Sequence, residues 1–160
     1  MLEGVDDSKQ LSAAQRDAAF VRIREAAVAV GVGACSVEEI DRLNILHASL
    51  EAMRRAVSAL ACPCTGATLA PDLLLVDGNR CFPHPPCEAV CVVKGDARSL
   101  SIAAASIVAK VTRDRLMQTL AQAHPAYRWE VNVGYPTTAH RDALRAHGPT
   151  VHHRRSFRLV

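Results

Sequence analysis

The chain has 160 residues, with 19 Lys and Arg against 16 Asp and Glu for a formal charge of +3. That length fits one domain burying about two thirds of the surface its unfolded form exposes, and the charge is too mild to announce a nucleic-acid partner by itself. No run of about 18 apolar residues occurs and residues 1–7 lack the basic and apolar stretches of a signal peptide, so neither a membrane partner nor export is expected and the cytoplasm is the expected compartment.

Ser12-Ala13-Ala14-Gln15 and Ser36-Val37-Glu38-Glu39 both fit the capping box, in which a serine hydroxyl and the side chain three residues later satisfy each other's orphan backbone donors. A helix is expected to start at each. The second is expected to run for about seven turns with Leu43, Leu46, Leu50, Met53, Val57 and Leu60 on one face. Between them, Val28-Ala29-Val30-Gly31-Val32-Gly33 alternates valine with small residues and predicts a strand, whose glycines imply close approach by something packed over it. From Ala61 to Pro71 no period survives, and Cys62-Pro63-Cys64-Thr65-Gly66 reads as a loop.

Two apolar runs follow, Leu73-Leu74-Leu75-Val76-Asp77 and Val90-Cys91-Val92-Val93-Lys94-Gly95-Asp96, separated by the loop Phe82-Pro83-His84-Pro85-Pro86. Both read as buried parallel strands closed by an aspartate. A long small-residue helix starts at Ser99 or Ser101, with Ile102, Ala105, Val108 and Leu116 among its apolar positions, and ends about His124-Pro125. Tyr127 to Val133 reads as irregular, with Tyr127 and Trp129 as packing residues. Pro136-Thr137-Thr138 opens a last helix that stops at Gly148-Pro149. The expected order is α-β-α-β-β-α-α in one domain, 1–160. It ends in a basic tail, 150–160, where His152, His153, Arg154, Arg155 and Arg158 meet no acid; such a tail suits phosphate contact or plain solvation.

Ligands of open α/β sheets gather outside the carboxyl ends of strands, so Asp77 and Asp96 are candidates for one site. Carboxylates placed together repel unless cations bridge them, which suggests Mg²⁺ or Mn²⁺, and Lys94 and Arg98 beside Asp96 favour an anionic substrate. Asp77 also has the readings of a phosphate acceptor or phosphatase nucleophile, which Gly78-Asn79-Arg80 does not match, and of a turn cap before Gly78. Asp96 has that of a surface turn. Asp114, after Lys110 and Arg113, reads as a solvated ion pair before a metal ligand, and His140, His147, His152 and His153 read as scattered surface histidines before phosphate binders. The six cysteines (Cys35, Cys62, Cys64, Cys81, Cys87, Cys91) read as free thiols, without the spacing of a zinc knuckle.

Several blocks resemble ribonuclease HII. They are Asp7-Ser8-Lys9-Gln10-Leu11-Ser12, Glu39 to Ala48, Val76-Asp77-Gly78-Asn79-Arg80, Val93-Lys94-Gly95-Asp96, Ser101 to Asp114, Gly134-Tyr135-Pro136-Thr137 and His152 to Phe157, in family order along nearly the whole chain. The resemblance implies an α/β RNase H-like fold. It also implies an endonuclease that hydrolyses RNA in RNA–DNA hybrids, including single ribonucleotides embedded in duplex DNA, by two-metal-ion catalysis with Mg²⁺ or Mn²⁺. Of the family's four carboxylates, Asp77 and Asp96 match the third and fourth. Tyr135 matches the tyrosine that packs against the nucleotide beside the scissile site, and Ser8 and Lys9 match a serine-lysine pair near the substrate backbone. Asn79, Arg80 and Lys94 join them as expected substrate-binding residues. No obligate protein partner is implied.

The family begins with a strand bearing adjacent aspartate and glutamate, then a Gly-Arg-Gly loop that recognises the 2′-hydroxyl. Residues 1–160 do not show either, since Asp6-Asp7 belongs to the Asp-Ser-Lys block. The expectation is therefore an N-terminally truncated fold without its first strands, Val28 to Gly33 and Leu73 to Val76 left as exposed edges, and an incomplete active site. The alternative is a catalytically silent nucleic-acid-binding remnant of the family. Val133 stands where a lysine usually precedes Gly-Tyr-Pro-Thr, and the loop with Cys62 and Cys64 is longer than usual, a change expected to be neutral.

Overall fold

A computed structural model describes residues 10–157; Ser8, Lys9, Asp6, Asp7 and Arg158 lie outside the described residues. Its contacts group the chain into two compact units, residues up to 34 with 49–111, and residues 35–48 with those from 112 on.

In the first unit, helix α1 (Ala13–Ala26) starts where its capping box places it. Gln15 N–H donates to Ser12 Oγ at 3.3 Å and Ser12 N–H to Gln15 Oε1 at 2.8 Å. Ala19 and Ile23 of α1 pack with Ile107, Val108 and Val111 of helix α4 (Leu100–Ala123), flanked by Leu11, Phe20, Val30 and Ala104. Burying each large aliphatic side chain contributes about 1.5–3 kcal/mol. Of the α4 positions expected to be apolar and packed, Ile102 and Val108 are buried, whereas Ala105 and Leu116 are exposed.

The segment Val28 to Gly33 is not a strand; among the described residues it forms a single antiparallel bridge, Val30 to Ala61. Its glycines explain why. A Cβ on Gly31 would lie 2.1 Å from the Ala56 carbonyl oxygen, and one on Gly33 would lie 2.1 Å from that of Ala52. The close approach implied by the glycines is to the backbone of helix α3 (Ile45–Ser58), not to a neighbouring strand.

The long helix expected from Ser36 to Leu60 is two helices, α2 (Val37–Leu43) and α3. Asn44 stands between them at φ 65°, and its Oδ1 accepts from Leu46 N–H at 3.0 Å and His47 N–H at 3.2 Å. From this positive-φ position, with ψ 165°, outside the helical range, the asparagine side chain caps the next helix, so the chain turns while the apolar spacing runs on. The expected stripe is mostly half-buried, Leu46 is exposed, and Ala48 is the buried residue of α3.

Strands β1 (Leu73–Asp77) and β2 (Glu88–Val92) pair in parallel, from Leu73 opposite Glu88 to Asp77 opposite Val92. Gly78 N–H donates to Val92 O at 3.0 Å and extends the ladder by one bond. Parallel strands are normally covered on both faces. Here Val76 is buried while Leu73, Leu75, Val90 and Val93 are exposed, and among the described residues β1 has one paired edge. Asp96 does not close β2, as its apolar run suggested. The strand stops at Val92, Lys94 turns at φ 54°, and Asp96 sits in a single 3₁₀ turn, Gly95–Ala97.

The second unit has its own core of Ala121, Tyr127, Trp129, Ala143 and Leu144, with Met117 and Leu120 against it. The segment expected to be irregular holds two short helical turns, a 3₁₀ turn at Pro125–Tyr127 and α5 (Trp129–Asn132). Their aromatic rings are the packing residues expected: Trp129 is 1% exposed and stacks on Tyr127 at 5.3 Å. Helix α6 (Thr138–His147) opens with Thr137 Oγ1 accepting from His140 N–H at 3.3 Å and stops at Gly148, φ 72°, as its cap residues predict.

Candidate active site

The first unit gathers five of the expected site residues. Because β1 and β2 are parallel, the segments that follow them leave at the same end of the sheet, with Asp77 ending one strand and Asn79 and Arg80 just beyond it, and Lys94 and Asp96 after the other. Asp77 Oδ1 accepts the Gly95 N–H at 2.8 Å, so its carboxylate reaches across to the second segment and does not cap its own turn. That bond depends on glycine. A Cβ at position 95 would lie 2.5 Å from Ile102 Cδ1 and 3.2 Å from Asp77 Oδ1. The next residue, Asp96, is half-buried and accepts from Ala97 N–H at 3.0 Å through Oδ1. Asn79, Arg80 and Lys94 are exposed.

Tyr135 belongs to the second unit, on a loop whose backbone is fixed while its ring is 56% exposed. Asn132 Oδ1 takes the Gly134 N–H at 2.9 Å, Tyr135 N–H donates to Asn132 O at 2.8 Å, and Arg113 Nη2 donates to Val133 O at 3.2 Å. Val133 is held at φ 46°, a conformation that costs a β-branched residue about 1–2 kcal/mol and persists only where the surroundings impose it.

His140 and His153 correct the expectation of surface histidines: they are 5% and 7% exposed and hydrogen-bonded to each other. Thr150 N–H donates to His153 Nδ1 at 3.0 Å, which makes that nitrogen the acceptor and leaves the ring proton on Nε2. His153 Nε2–H then donates to His140 Nε2 at 3.1 Å, and the His140 proton lies on Nδ1, 3.0 Å from the Tyr135 carbonyl. A chain of hydrogen-bonded imidazoles thus runs from Thr150 to the Tyr135 loop. Burial, then the neighbouring His140, pushes His153 down to about 4. His147 and His152 are exposed, as expected.

Asp41 is a residue whose part sequence reading missed. Its carboxylate accepts from Arg155 N–H at 2.8 Å, Ser156 N–H at 3.0 Å and the Ser156 hydroxyl at 2.5 Å, tying the basic tail to α2. These bonds, the Ser156 hydroxyl first, hold the carboxyl below its ordinary value. The tie is therefore fully made above the ordinary 3.8 and is lost as the pH falls below it. Asp41→Asn sets a carboxamide N–H₂ against these donors. It is expected to speed hydrogen exchange at the Arg155 and Ser156 amides by about tenfold, with α6 unchanged. Arg154 lies with its guanidinium 4.4 Å over the Phe157 ring, and burial, then the charge of nearby Arg113, lowers its pKa.

The sequence profile described as Ribonuclease HII matches residues 2–160. The chain belongs to the ribonuclease HII family. It is 59% identical over 157 residues to the Ribonuclease HII of Granulibacter bethesdensis, covering 98% of this chain and 68% of that protein. To that of Marinomonas sp. (strain MWYL1) it is 53% identical over 156 residues, 98% of this chain and 75% of the relative. The crystal structure of the ribonuclease H2 from Pyrococcus horikoshii OT3 matches with a TM-score of 0.69 at 24% identity, over 98% of this chain and 78% of that one. That likeness shows the α/β RNase H-like fold. As a member of the ribonuclease HII family the chain is a ribonuclease H enzyme, of a divalent-metal-dependent class that cuts RNA in RNA–DNA hybrids. Among the described residues, no helix is long and apolar enough to cross a membrane.

Proposed function

We propose that Asp77 and Asp96 are two of the carboxylates with which this ribonuclease HII holds Mg²⁺ or Mn²⁺, and that residues 1–160 alone carry an incomplete two-metal site. The observation that supports this is the Asp77 Oδ1 to Gly95 N–H bond, which draws the end of β1 to the turn bearing Asp96. The donor set suits hard cations, since carboxylate oxygens are their usual protein ligands and Mg²⁺ is often held by one or two carboxylates with substrate phosphate and water. It suits them incompletely: among the described residues no group of three or more His, Cys, Asp or Glu is placed to hold an ion.

In this reading Gly95 orients Asp77 so that Oδ2 is the oxygen offered to a cation, and Asp96 supplies the second carboxylate. Arg80 and Lys94 draw in the anionic strand and Asn79 offers a carboxamide to the backbone, with Ser8 and Lys9 contributing contacts there. Tyr135, on its rigid loop, packs its ring against the nucleotide at the cut. When bound, divalent ions would acidify the attacking water and stabilise charge on the attacking and leaving oxygens.

Titrating the chain with Mn²⁺ and following backbone signals tests the carboxylate assignment. Selective broadening at Asp77, Gly95 and Asp96 is expected, with affinity reduced about tenfold or more by Asp77→Asn. Broadening that ignores those residues, or survives Asp77→Asn unchanged, would refute it. A second reading, a nucleic-acid-binding remnant without catalysis, draws on Tyr135 with Arg113 and Arg154 in one unit. Salt-sensitive duplex binding without cleavage at any metal concentration would favour it.

A further inference from the structure

Tyr135 is held through its backbone at both the amide and the carbonyl. Val133, two residues before it, stands in the left-handed region at φ 46°, a position that persists only where the surroundings over-determine it. On the amide side, Tyr135 N–H donates to Asn132 O at 2.8 Å, while the buried Asn132 side chain takes the Gly134 N–H at 2.9 Å and donates to Tyr127 O at 2.7 Å. On the carbonyl side, Tyr135 O accepts Thr137 N–H at 2.8 Å and lies 3.0 Å from His140 Nδ1. The Thr137 bond is internal to the loop. His140, in the first turn of α6, ties the carbonyl to the core of the second unit.

Two donors meet at the far nitrogen of that ring, His153 Nε2–H at 3.1 Å and Trp129 Nε1–H at 3.4 Å. Nε2 is therefore an acceptor, and the ring donates to Tyr135 O from Nδ1. Both donors are fixed in turn, since Thr150 N–H holds the His153 tautomer at 3.0 Å and Trp129 is buried. The His140 ring stands edge-on to Tyr127 and Trp129, at centroid separations of 6.3 and 6.4 Å. Packing alone would be met here by an apolar side chain, and a buried polar network costs free energy unless every member is satisfied. Among the described residues no buried side-chain nitrogen or oxygen lacks a partner. The network is thus complete, it has one direction, and it ends on the backbone of Tyr135.

We propose that His140 is a positioning residue for Tyr135, an assignment that rests on Tyr135 being the ring that packs against the nucleotide at the cut. A ring more than half exposed is aimed chiefly by the backbone that bears it, because the favoured side-chain rotamers follow φ and ψ. Anchoring the Tyr135 carbonyl sets that backbone before a duplex arrives, so less of the loop is left to order on binding. His153 acts at one remove, by holding the His140 tautomer.

The test measures, by fluorescence anisotropy, the affinity of the full chain for a duplex carrying one ribonucleotide, in single and double variants. Tyr135→Ala is expected to weaken binding about tenfold, the size of one lost base–aromatic contact. His140→Gln reaches the place of Nε2 but leaves no donor at the place of Nδ1. It should weaken binding about fivefold in the parent chain and by less than about twofold when Tyr135→Ala is already present. His140→Asn sets a carboxamide N–H₂ at the δ position and gives up the bond to His153, and it should keep affinity within about twofold of the parent. A merely structural role would give equal losses in both backgrounds, or a larger loss in His140→Asn than in His140→Gln, and either result would overturn the proposal. Full affinity in His140→Gln beside a loss in Tyr135→Ala would refute His140 alone, whereas full affinity in Tyr135→Ala would refute the role of Tyr135 and the inference with it. Long-range proton–nitrogen NMR spectra of the unsubstituted chain add a reading that needs no variant to fold. They should place the His140 proton on Nδ1, and a proton on Nε2 with none on Nδ1 would overturn the proposal. None of these readouts depends on nuclease activity.

Discussion

Residues 1–160 alone are expected to cut a duplex carrying one ribonucleotide at least about 10³-fold more slowly than the Ribonuclease HII of Granulibacter bethesdensis assayed beside them, a deficit of about 4 kcal/mol in transition-state stabilisation. Phosphoryl transfer through two ions requires both to be held while charge builds on the attacking and leaving oxygens. In the proposed reading Asp77 and Asp96 alone would hold an ion only loosely, and among the described residues no group of three or more His, Cys, Asp or Glu is placed to hold one. A weakly held ion still screens the phosphate, so duplex binding is expected to persist and to fall steeply with salt. Gel-resolved cleavage across a Mn²⁺ series measures the rate. Robust Mn²⁺-dependent cutting that Asp77→Asn abolishes would show that the set is complete as it stands, and Asp77 would still be part of it.

What the sequence made legible was mostly local. The boxes at Ser12 and Ser36, the Thr137 start and the Gly148 stop are each settled within four residues, and each appears where it was read. Asp77 was legible because the β-rich run before it ends where the strand ends. Asp96 was misplaced for the converse reason: Val93 continues the apolar run beyond the end of β2, and no residue type announces the left-handed turn at Lys94. Asn44 breaks a helix without interrupting its apolar spacing. The glycines of Val28 to Gly33 told correctly of close contact but not of its partner. Least legible were the long-range polar ties. Asp41 meets Ser156 across 115 residues, and His140 meets His153 in a pocket built by Trp129 and Tyr127, so composition made these histidines look like surface residues.

The same buried imidazoles give the second large effect, a loss of stability as the pH falls from about 6.5 to about 4. His153 stays neutral in the fold down to about 4 because it is buried and faces His140. Thr150 N–H occupies the nitrogen that a second proton would need. In the unfolded chain the ring protonates near its ordinary 6.5, so between those limits the unfolded state binds a proton that the folded state refuses. Stability is therefore full above about 6.5, declines below it, and levels off near 4. Solvent near the rim of this pocket reduces the effect, leaving on the order of 2 kcal/mol. His124 and His152 also face this cluster, and their charge opposes protonation of His153 further, while hydrogen bonds hold the Asp41 and Glu38 carboxyls below their ordinary values. Denaturant melts followed by the fluorescence of Trp129, the single tryptophan, report the change directly, since its indole N–H lies 3.4 Å from His140 Nε2. His153→Asn keeps an acceptor for Thr150 N–H and cannot titrate, so most of the slope between about pH 6.5 and pH 4 is expected to vanish in that variant. An unchanged slope there would move the effect to another histidine and refute the assignment to His153.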